Sequence, residues 1–161
     1  MPLWQIYHPP NLFTDDATKQ SFAEDITKMY TGLGLPAFYV VAQFISMTNE
    51  NVYVGGRTRT HQRDTEKPFV RVVITHSALQ IPESDEMHTR ATSQLDRVMN
   101  PHLVDRGYDV EYHVHETDRR LWKINGLIPP PYKSAEEQVW VRENRAMPYP
   151  GAYPPTTFMS E

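Results

Sequence analysis

Two stretches of the chain repeat one pattern, in which an amphipathic helix-like segment lies between two strand-like segments. In the first stretch, residues 2–8 and 38–45 have the apolar, aromatic and β-branched character of strands. Between them, Thr14 is placed to cap a helix, and apolar residues recur on one helical face at Phe22, Ile26, Met29, Tyr30 and Leu33. With a short strand at 52–54, the pattern predicts a β-α-β unit over about residues 2–56.

The second stretch repeats the order after a polar segment, residues 57–67, which we predict to be a loop. Residues 69–75 and 108–116 are typical of strands, and the helix between them ends at Gly107. Its apolar face contains Met87, Ala91, Leu95, Val98 and His102. The second unit therefore covers about residues 68–126. Together the units predict an α/β (α+β) domain over residues 1–126, with one four-stranded sheet and two helices on one face.

Residues 127–161 differ in composition, since seven of the fourteen prolines lie in the last 33 residues. Ser134 followed by Glu137 is a capping-box pattern, which predicts a short helix over about residues 134–144. We expect residues 148–161 to form an extended end or an arm on a neighbouring subunit.

Composition excludes several classes of function. The formal net charge of −4 argues against general nucleic-acid binding, which needs a basic surface. The absence of cysteine excludes a disulfide framework, thiolate–zinc sites and a cysteine nucleophile. No apolar run has the roughly 18–20 residues of a membrane span, and the first residues do not resemble a secretory signal. We therefore expect a cytoplasmic protein without membrane or nucleic-acid partners.

Pro2 is the strongest catalytic candidate. Trimming of Met1 would leave Pro2 as a free secondary amine, and an unperturbed α-amino group has a pKa of roughly 7.7–8.0. An apolar pocket lowers that pKa, so the amine becomes a general base or acid near neutral pH. The alternative is that this proline has no catalytic role, and retention of Met1 would favour that alternative because Pro2 would then be acylated.

Several short segments, in order between residues 2 and 149, resemble the tautomerase superfamily. They are Pro2–Trp4, Ile6–Pro9, Gly34–Val41, Tyr53–Gly56, Phe69–Arg71, Trp122–Leu127 and Pro129–Pro131. The resemblance is closest to the subgroup typified by cis-3-chloroacrylic acid dehalogenase, and within it to fungal oxalocrotonate-tautomerase-like proteins. It implies a tautomerase/MIF-like fold, a homotrimer with a neighbour walling each site near Pro2, and neither a metal nor an organic cofactor. Known activities are tautomerisation, hydrolytic dehalogenation, hydration and decarboxylation of small acids.

The resemblance also implies roles for single residues. Tyr112 matches a tyrosine of the family, and Tyr30 stands where the dehalogenase has a catalytic histidine. His76 falls near the first of two substrate-binding arginines, and Arg71 lies five residues earlier. Each has a structural alternative: Tyr30 and Tyr112 as core residues, Arg71 paired with an acid, and His76 as a structural histidine.

The water-activating glutamate of the dehalogenase should fall near Trp122, where this chain has Lys123. We therefore disfavour hydration and dehalogenation, and we expect Trp122, Lys123 and Asn125 to shape the pocket. The predicted reaction is proton transfer on a small carboxylic acid or carbonyl substrate. The nitrogen of Pro2 removes a proton alpha to a carbonyl, and Tyr112, with His76 or Arg71, stabilises the enolate.

Three other classes of function are weaker. His113 and His115 have the spacing of a strand metal site that His76 or His61 would complete, but a solvated polar face explains the pair, and we predict no metal. The proline-rich end suits a binding protein without catalysis. Nucleotide binding lacks support, because neither G-x-G-x-x-G nor a P-loop is present.

Overall fold

A computed structural model describes residues 1–59 and 67–153. Its centre is a mixed four-stranded sheet in the order β2-β1-β5-β6. These strands are β1 (Pro2–His8), β2 (Val41–Ser46), β5 (Phe69–His76) and β6 (Asp109–Glu116). β1 is parallel to β2 and β5 is parallel to β6, while β1 and β5 are antiparallel at the middle of the sheet. This arrangement joins the two predicted units edge to edge.

Helices α1 (Asp16–Gly32) and α2 (Asp85–Met99) pack on one face of this sheet. Alternate residues of β1 and β5 point into the contact because side chains alternate along a strand. The resulting core contains Trp4, Ile6, Val72 and Ile74 from the strands, Phe22 and Ile26 from α1, and Leu95 and Met99 from α2. The predicted α+β fold, with four strands and two helices on one face, is confirmed.

The helix ends differ in detail from the predictions. Asp15, rather than Thr14, caps α1, because its carboxylate accepts the Thr18 N–H at 2.8 Å. Ser84 caps α2 by accepting the Met87 N–H. α2 ends at Met99, and two short 3-10 turns lead from there to Gly107, whose φ of 80° suits glycine.

Two loop regions also differ from the predictions. Residues Ala37–Tyr39 form a 3-10 turn, and the strand predicted from residue 38 starts only at Val41, as a half-buried edge strand. A small hairpin pairs β3 (Tyr53–Val54), which lies in the predicted short strand, with β4 (Arg57–Thr58), which lies in the predicted loop. Residues 60–66 of that loop and residues 154–161 of the proline-rich end lie outside the described residues.

The described part of the C-terminal segment packs against the core. Its helix α3 (Ala135–Glu143) agrees with the capping-box prediction, since Ser134 accepts the Glu137 N–H at 3.1 Å. Trp140 on α3 is fully buried beside Phe38 and Tyr39, with ring centroids 6.0 and 6.1 Å away. This contact places α3 beside the turn that precedes β2, and the boundary at residue 126 stays a prediction. Within residues 1–59 and 67–153, no helix is long and apolar enough to cross a membrane.

Candidate active site

The amino terminus lies inside the protein at one end of the sheet. Pro2 is buried opposite His76 on β5, and the Met1 carbonyl accepts the Ser77 N–H at 3.1 Å. Proline fits the first position of a strand, where a missing N–H breaks no ladder bond. Burial lowers the pKa of the Met1 α-amino group to about 4, although the nearby Glu137 carboxylate opposes this shift. The Met1 α-amino group is therefore uncharged at neutral pH.

A chain of three buried side chains leads from the core to His76. The Trp4 Nε1–H donates to the Tyr30 hydroxyl at 3.0 Å, and the Tyr30 oxygen lies 2.8 Å from His76 Nε2. Since the tryptophan N–H is only a donor, the tyrosine proton is free to be donated to Nε2. Any other assignment leaves the hydroxyl proton without an acceptor among the described residues. His76 is therefore a neutral imidazole protonated at Nδ1.

The other ring nitrogen of His76, Nδ1, can donate a hydrogen bond to a ligand. Nδ1 is buried and has no hydrogen-bond partner among the residues described. Burial, helped by the positive charge of the amino terminus, lowers the pKa of His76 to about 4, so the ring stays neutral at pH 7. A neutral imidazole with an unpaired N–H is a preorganised donor to a substrate oxygen.

Polar groups from the C-terminal half surround the other side of the amino terminus. Glu137 on α3 is 1% exposed, and its Oε2 accepts the Lys133 N–H at 2.6 Å. Burial raises the pKa of the Glu137 carboxyl, while the Lys133 N–H, the amino terminus and Arg119 oppose the rise. The Arg119 guanidinium donates from Nη1 to the Pro129 carbonyl. A buried acid thus lies within electrostatic reach of the amine.

Tyr39 is a second buried polar group in this region. Its ring packs edge-on against Trp122 at 4.8 Å and Trp140 at 6.1 Å. Burial, followed by the charge of Glu137, raises the pKa of its phenol, which therefore stays protonated. In the described part of the chain its hydroxyl has no hydrogen-bond partner. Like His76 Nδ1, it is a donor without an acceptor.

A cleft of about 320 Å³ opens between α1 and α2, and Tyr30 and His76 form part of its wall. Most of the other lining side chains are apolar, and Arg90 on α2 contributes a guanidinium. The cleft therefore gives an apolar, partly enclosed space with a cation and a neutral imidazole at its edges.

The structure brings Pro2, Tyr30 and His76 together, but not Tyr112 and Arg71. The Tyr112 hydroxyl donates to Asp96 on α2 at 2.8 Å, and burial and this bond raise its pKa to about 12. Arg71 lies on the face of the sheet away from the helices, in a salt bridge with Glu111 at 2.7 Å. Within one chain, neither reaches the amino terminus, and their predicted roles stay predictions.

The three residues predicted to shape the pocket, Trp122, Lys123 and Asn125, differ in burial. Trp122 is buried against Tyr39, whereas Lys123 and Asn125 are exposed. Asn125 and Gly126 have φ values of 51° and 81° between Ile124 and Leu127, which exchange two backbone hydrogen bonds of 2.9 Å. Asn-Gly is favoured in such a two-residue turn, so turn geometry alone explains Asn125.

Sequence reasoning missed Glu137, Tyr39 and Arg119. Glu137 was interpreted only as a helix cap, yet Trp140 three residues later lies on the same helical face, which is the buried one. Tyr39 was placed in a strand, and nothing local indicates that its hydroxyl is enclosed. The helical spacing of Glu137 and Trp140 was the available signal.

The two histidines of the candidate metal site contact each other, with Nε2 atoms 2.8 Å apart. No group of three histidine, aspartate or glutamate side chains suited to a metal occurs in residues 1–59 and 67–153. His61, one of the proposed third ligands, lies outside the described residues. The pair is thus an exposed contact on β6.

The comparisons with known proteins cover nearly the whole chain. Residues 1–145 match the model of the family Tautomerase_3, described as "Putative oxalocrotonate tautomerase enzyme". RhCC from Rhodococcus jostii RHA1 is 37% identical, with 91% of this chain and 99% of RhCC covered and a TM-score of 0.81. A protein from the thermophilic fungus Aspergillus fumigatus is 41% identical, with 92% and 98% covered and a TM-score of 0.78.

More distant structures share the fold. N1, a member of the cis-3-chloroacrylic acid dehalogenase family, is 13% identical, with 88% of this chain and 97% of N1 covered and a TM-score of 0.62. A fused 4-OT described as a symmetric trimer is 14% identical, with 76% and 91% covered and a TM-score of 0.55. No curated protein is significantly similar to the chain.

Proposed function

Since the chain belongs to the oxalocrotonate-tautomerase-like family of that model, we propose that it is a cofactor-independent tautomerase or isomerase. Its base is the nitrogen of Pro2, freed by removal of Met1, and its substrate is a small keto, enol or unsaturated carboxylic acid. One observation carries the proposal: the amino terminus is buried beside His76, and burial there lowers the pKa of the Met1 α-amino group to about 4. A neutral amine held rigidly at the first position of a central strand is a suitable general base.

The reaction follows from the two groups that face each other. The Pro2 nitrogen takes a proton from the carbon next to the substrate carbonyl and later returns it to another carbon. As charge moves to the carbonyl oxygen, the Nδ1–H of His76 donates a hydrogen bond to it. Tyr30 holds the imidazole in the required tautomer through its 2.8 Å bond to Nε2. Such preorganised donors contribute to rate because they need no reorganisation.

The cleft supports an acid with an apolar body as the substrate. Its lining is mainly apolar, and the Arg90 guanidinium suits a carboxylate. Trp122 packs against Tyr39 and is not among the residues that line this cleft.

We also propose a homotrimer, in keeping with the symmetric trimer of the fused 4-OT, which shares the fold. Within one chain Tyr112 and Arg71 are paired away from Pro2, and Lys123 and Asn125 are exposed, so we expect these residues to take part only if a neighbouring subunit brings them to the site. Sedimentation analysis of the purified protein tests the trimer.

One observation favours a second candidate, hydration of an unsaturated acid. Lys123 replaces the acid expected near Trp122, but Glu137 supplies a buried carboxyl beside the amino terminus from another segment. Hydration needs such a base for water. A product heavier than an unsaturated substrate by one water would support hydration, whereas isomerisation leaves the mass unchanged.

The proposal is tested by a Pro2→Ala variant and a matched Pro10→Ala control, since Pro10 is exposed just beyond β1. The probe is phenylpyruvate, whose exchange of the protons next to the carbonyl with deuterated water is followed by NMR. We expect kcat/KM to fall about 10²- to 10⁴-fold in Pro2→Ala, the usual contribution of a general base. Full activity of Pro2→Ala would overturn the proposal.

A further inference from the structure

Glu137 is buried far more deeply than a helix cap requires. It is 1% exposed, on the same face of α3 as the fully buried Trp140. Glutamate is almost never fully buried unless it is paired, and a capping carboxylate acts equally well at the surface. The bond to the Lys133 N–H therefore accounts for the cap but not for the burial.

The charged and titratable groups that face Glu137 come from three other parts of the chain. The amino terminus approaches from β1, Arg119 from the turn after β6, and Tyr39 from the turn before β2. Tyr149 lies near Tyr39 and Arg119 and completes the cluster. The Tyr39 hydroxyl is buried and has no partner among the residues described, so a donor without an acceptor lies beside the acid.

We propose that Glu137 is a second catalytic residue, whose carboxyl exchanges a proton with the carbonyl oxygen of the substrate while the Pro2 nitrogen exchanges one with the carbon. This inference rests on the proposed function of Pro2. The Tyr39 hydroxyl donates a hydrogen bond to the same oxygen.

Every proton and electron pair is accounted for in the proposed proton transfer. The C–H bond next to the carbonyl breaks and its proton goes to the Pro2 nitrogen. The electron pair of that bond forms the C=C bond, and the carbonyl π pair moves to oxygen. That oxygen takes the proton of the Glu137 carboxylic acid, which gives an enol, a carboxylate and a protonated amine. In an unsaturated substrate whose C=C bond adjoins the deprotonated carbon, this enol is a dienol. The protonated amine gives its proton to the far carbon of the dienol, the C=C bonds shift, and the Glu137 carboxylate takes back the O–H proton, which restores the carbonyl group.

The electrostatics of the site fit this sequence. Burial raises the pKa of Glu137 and lowers the pKa of the Met1 α-amino group, and each shift favours the uncharged form of its group. After the first step Glu137 and the Pro2 amine become an ion pair in a shielded site, where opposite charges attract strongly. The positive charge on the Pro2 amine is thus stabilised by the negative charge on the Glu137 carboxylate.

Glu137→Gln tests the proposal, because the amide keeps the size and an oxygen to accept the Lys133 N–H but cannot transfer the proton. We expect kcat for enol formation from phenylpyruvate to fall about 10²- to 10⁴-fold. The parent should lose activity as pH rises through the pKa of Glu137, and this basic limb should disappear in Glu137→Gln. Alkylation of Pro2 by a halogenated pyruvate should continue at the parent rate. Glu136→Gln, a change to the neighbouring and more exposed acid, is the matched control.

Each outcome decides the proposal. If kcat of Glu137→Gln stays within twofold of the parent with the basic limb intact, Glu137 is not a proton-transfer group. If that variant does not fold, Glu137→Asp is measured instead: a reduced kcat with the basic limb retained supports the proposal, and a parental kcat overturns it. If Pro2→Ala is inactive and Glu137→Gln is fully active, only this inference is refuted. If Pro2→Ala is fully active, the proposed function itself is refuted.

Discussion

Replacement of Tyr30 by phenylalanine should remove the link between the core and the candidate site. The Tyr30 hydroxyl is the acceptor for the Trp4 Nε1–H at 3.0 Å and the hydrogen-bond partner of His76 Nε2 at 2.8 Å. Tyr30 is 1% exposed and Trp4 is fully buried, so water has no access to the abandoned indole N–H. The change removes one oxygen and leaves two buried groups unpaired.

The magnitude follows from those two groups. A buried polar group left without a partner costs about 1–3 kcal/mol. The full penalty applies to Trp4, whereas His76 borders the cleft, where water can replace part of the lost bond. We therefore expect the free energy of unfolding to fall by about 2–4 kcal/mol in Tyr30→Phe. Loss of the tautomer constraint on His76 should also reduce kcat.

Urea denaturation followed by tryptophan fluorescence measures this difference, at one fixed protein concentration because oligomers gain stability with concentration. Tyr132→Phe is the matched control, since its hydroxyl donates to the Leu33 carbonyl at 2.7 Å at an exposed site. That variant should lose only about 0.5–1.5 kcal/mol. Equal losses in the two variants would refute the buried hydrogen-bond chain.

Three further predictions concern pH, docking of α3 and one turn. Because the pKa of His76 is about 4 in the folded state and 6.5 is its ordinary value, the unfolded chain binds the extra proton between these pH values. Stability should therefore fall by about 1.4 kcal/mol per pH unit as pH drops through this window, and His76→Gln should lack this component in acid titrations monitored by denaturation. Trp140→Ala should lose about 3–5 kcal/mol in urea denaturation, because it leaves a large cavity, and limited proteolysis should then cut within α3. Asn125→Gly should leave thermal stability nearly unchanged, whereas Asn125→Val should cost about 1–3 kcal/mol because its φ is 51°.

The periodicity of apolar residues correctly predicted those helices and strands whose buried face follows from their own sequence. Alternation along β1 and helical spacing in α1 identified both elements, because period and buried face coincide there. Tyr39 shows the limit of this reasoning. Its segment has strand-like residues, but residues 37–39 form a turn whose aromatic rings pack on Trp140, about 100 positions later. A contact so distant in sequence leaves no periodic signal.

The candidate site was predicted in part for a related reason. Pro2, Tyr30 and His76 meet because they lie at the same end of adjacent elements, which the order of the elements already indicates. The resemblance to the family indicated Tyr112 and Arg71. Pairing register, however, places Tyr112 opposite Val72, far from the level of His76, and alternation directs Arg71 to the other face. Glu137 resembled a surface helix cap because the capping-box pattern of Ser134 and Glu137 is the same whether the start of the helix is exposed or buried.

The central claim is that a free, neutral Pro2 amine carries the chemistry, and the pH dependence of its modification tests that claim most directly. The purified protein is treated with a halogenated pyruvate over a range of pH, and intact mass and peptide mapping locate the adduct. We predict loss of Met1, a single adduct on Pro2, and a rate that titrates well below the roughly 7.7–8.0 of an ordinary α-amino group. Retained Met1, an ordinary titration, or modified lysines beside an unmodified Pro2 would contradict the account.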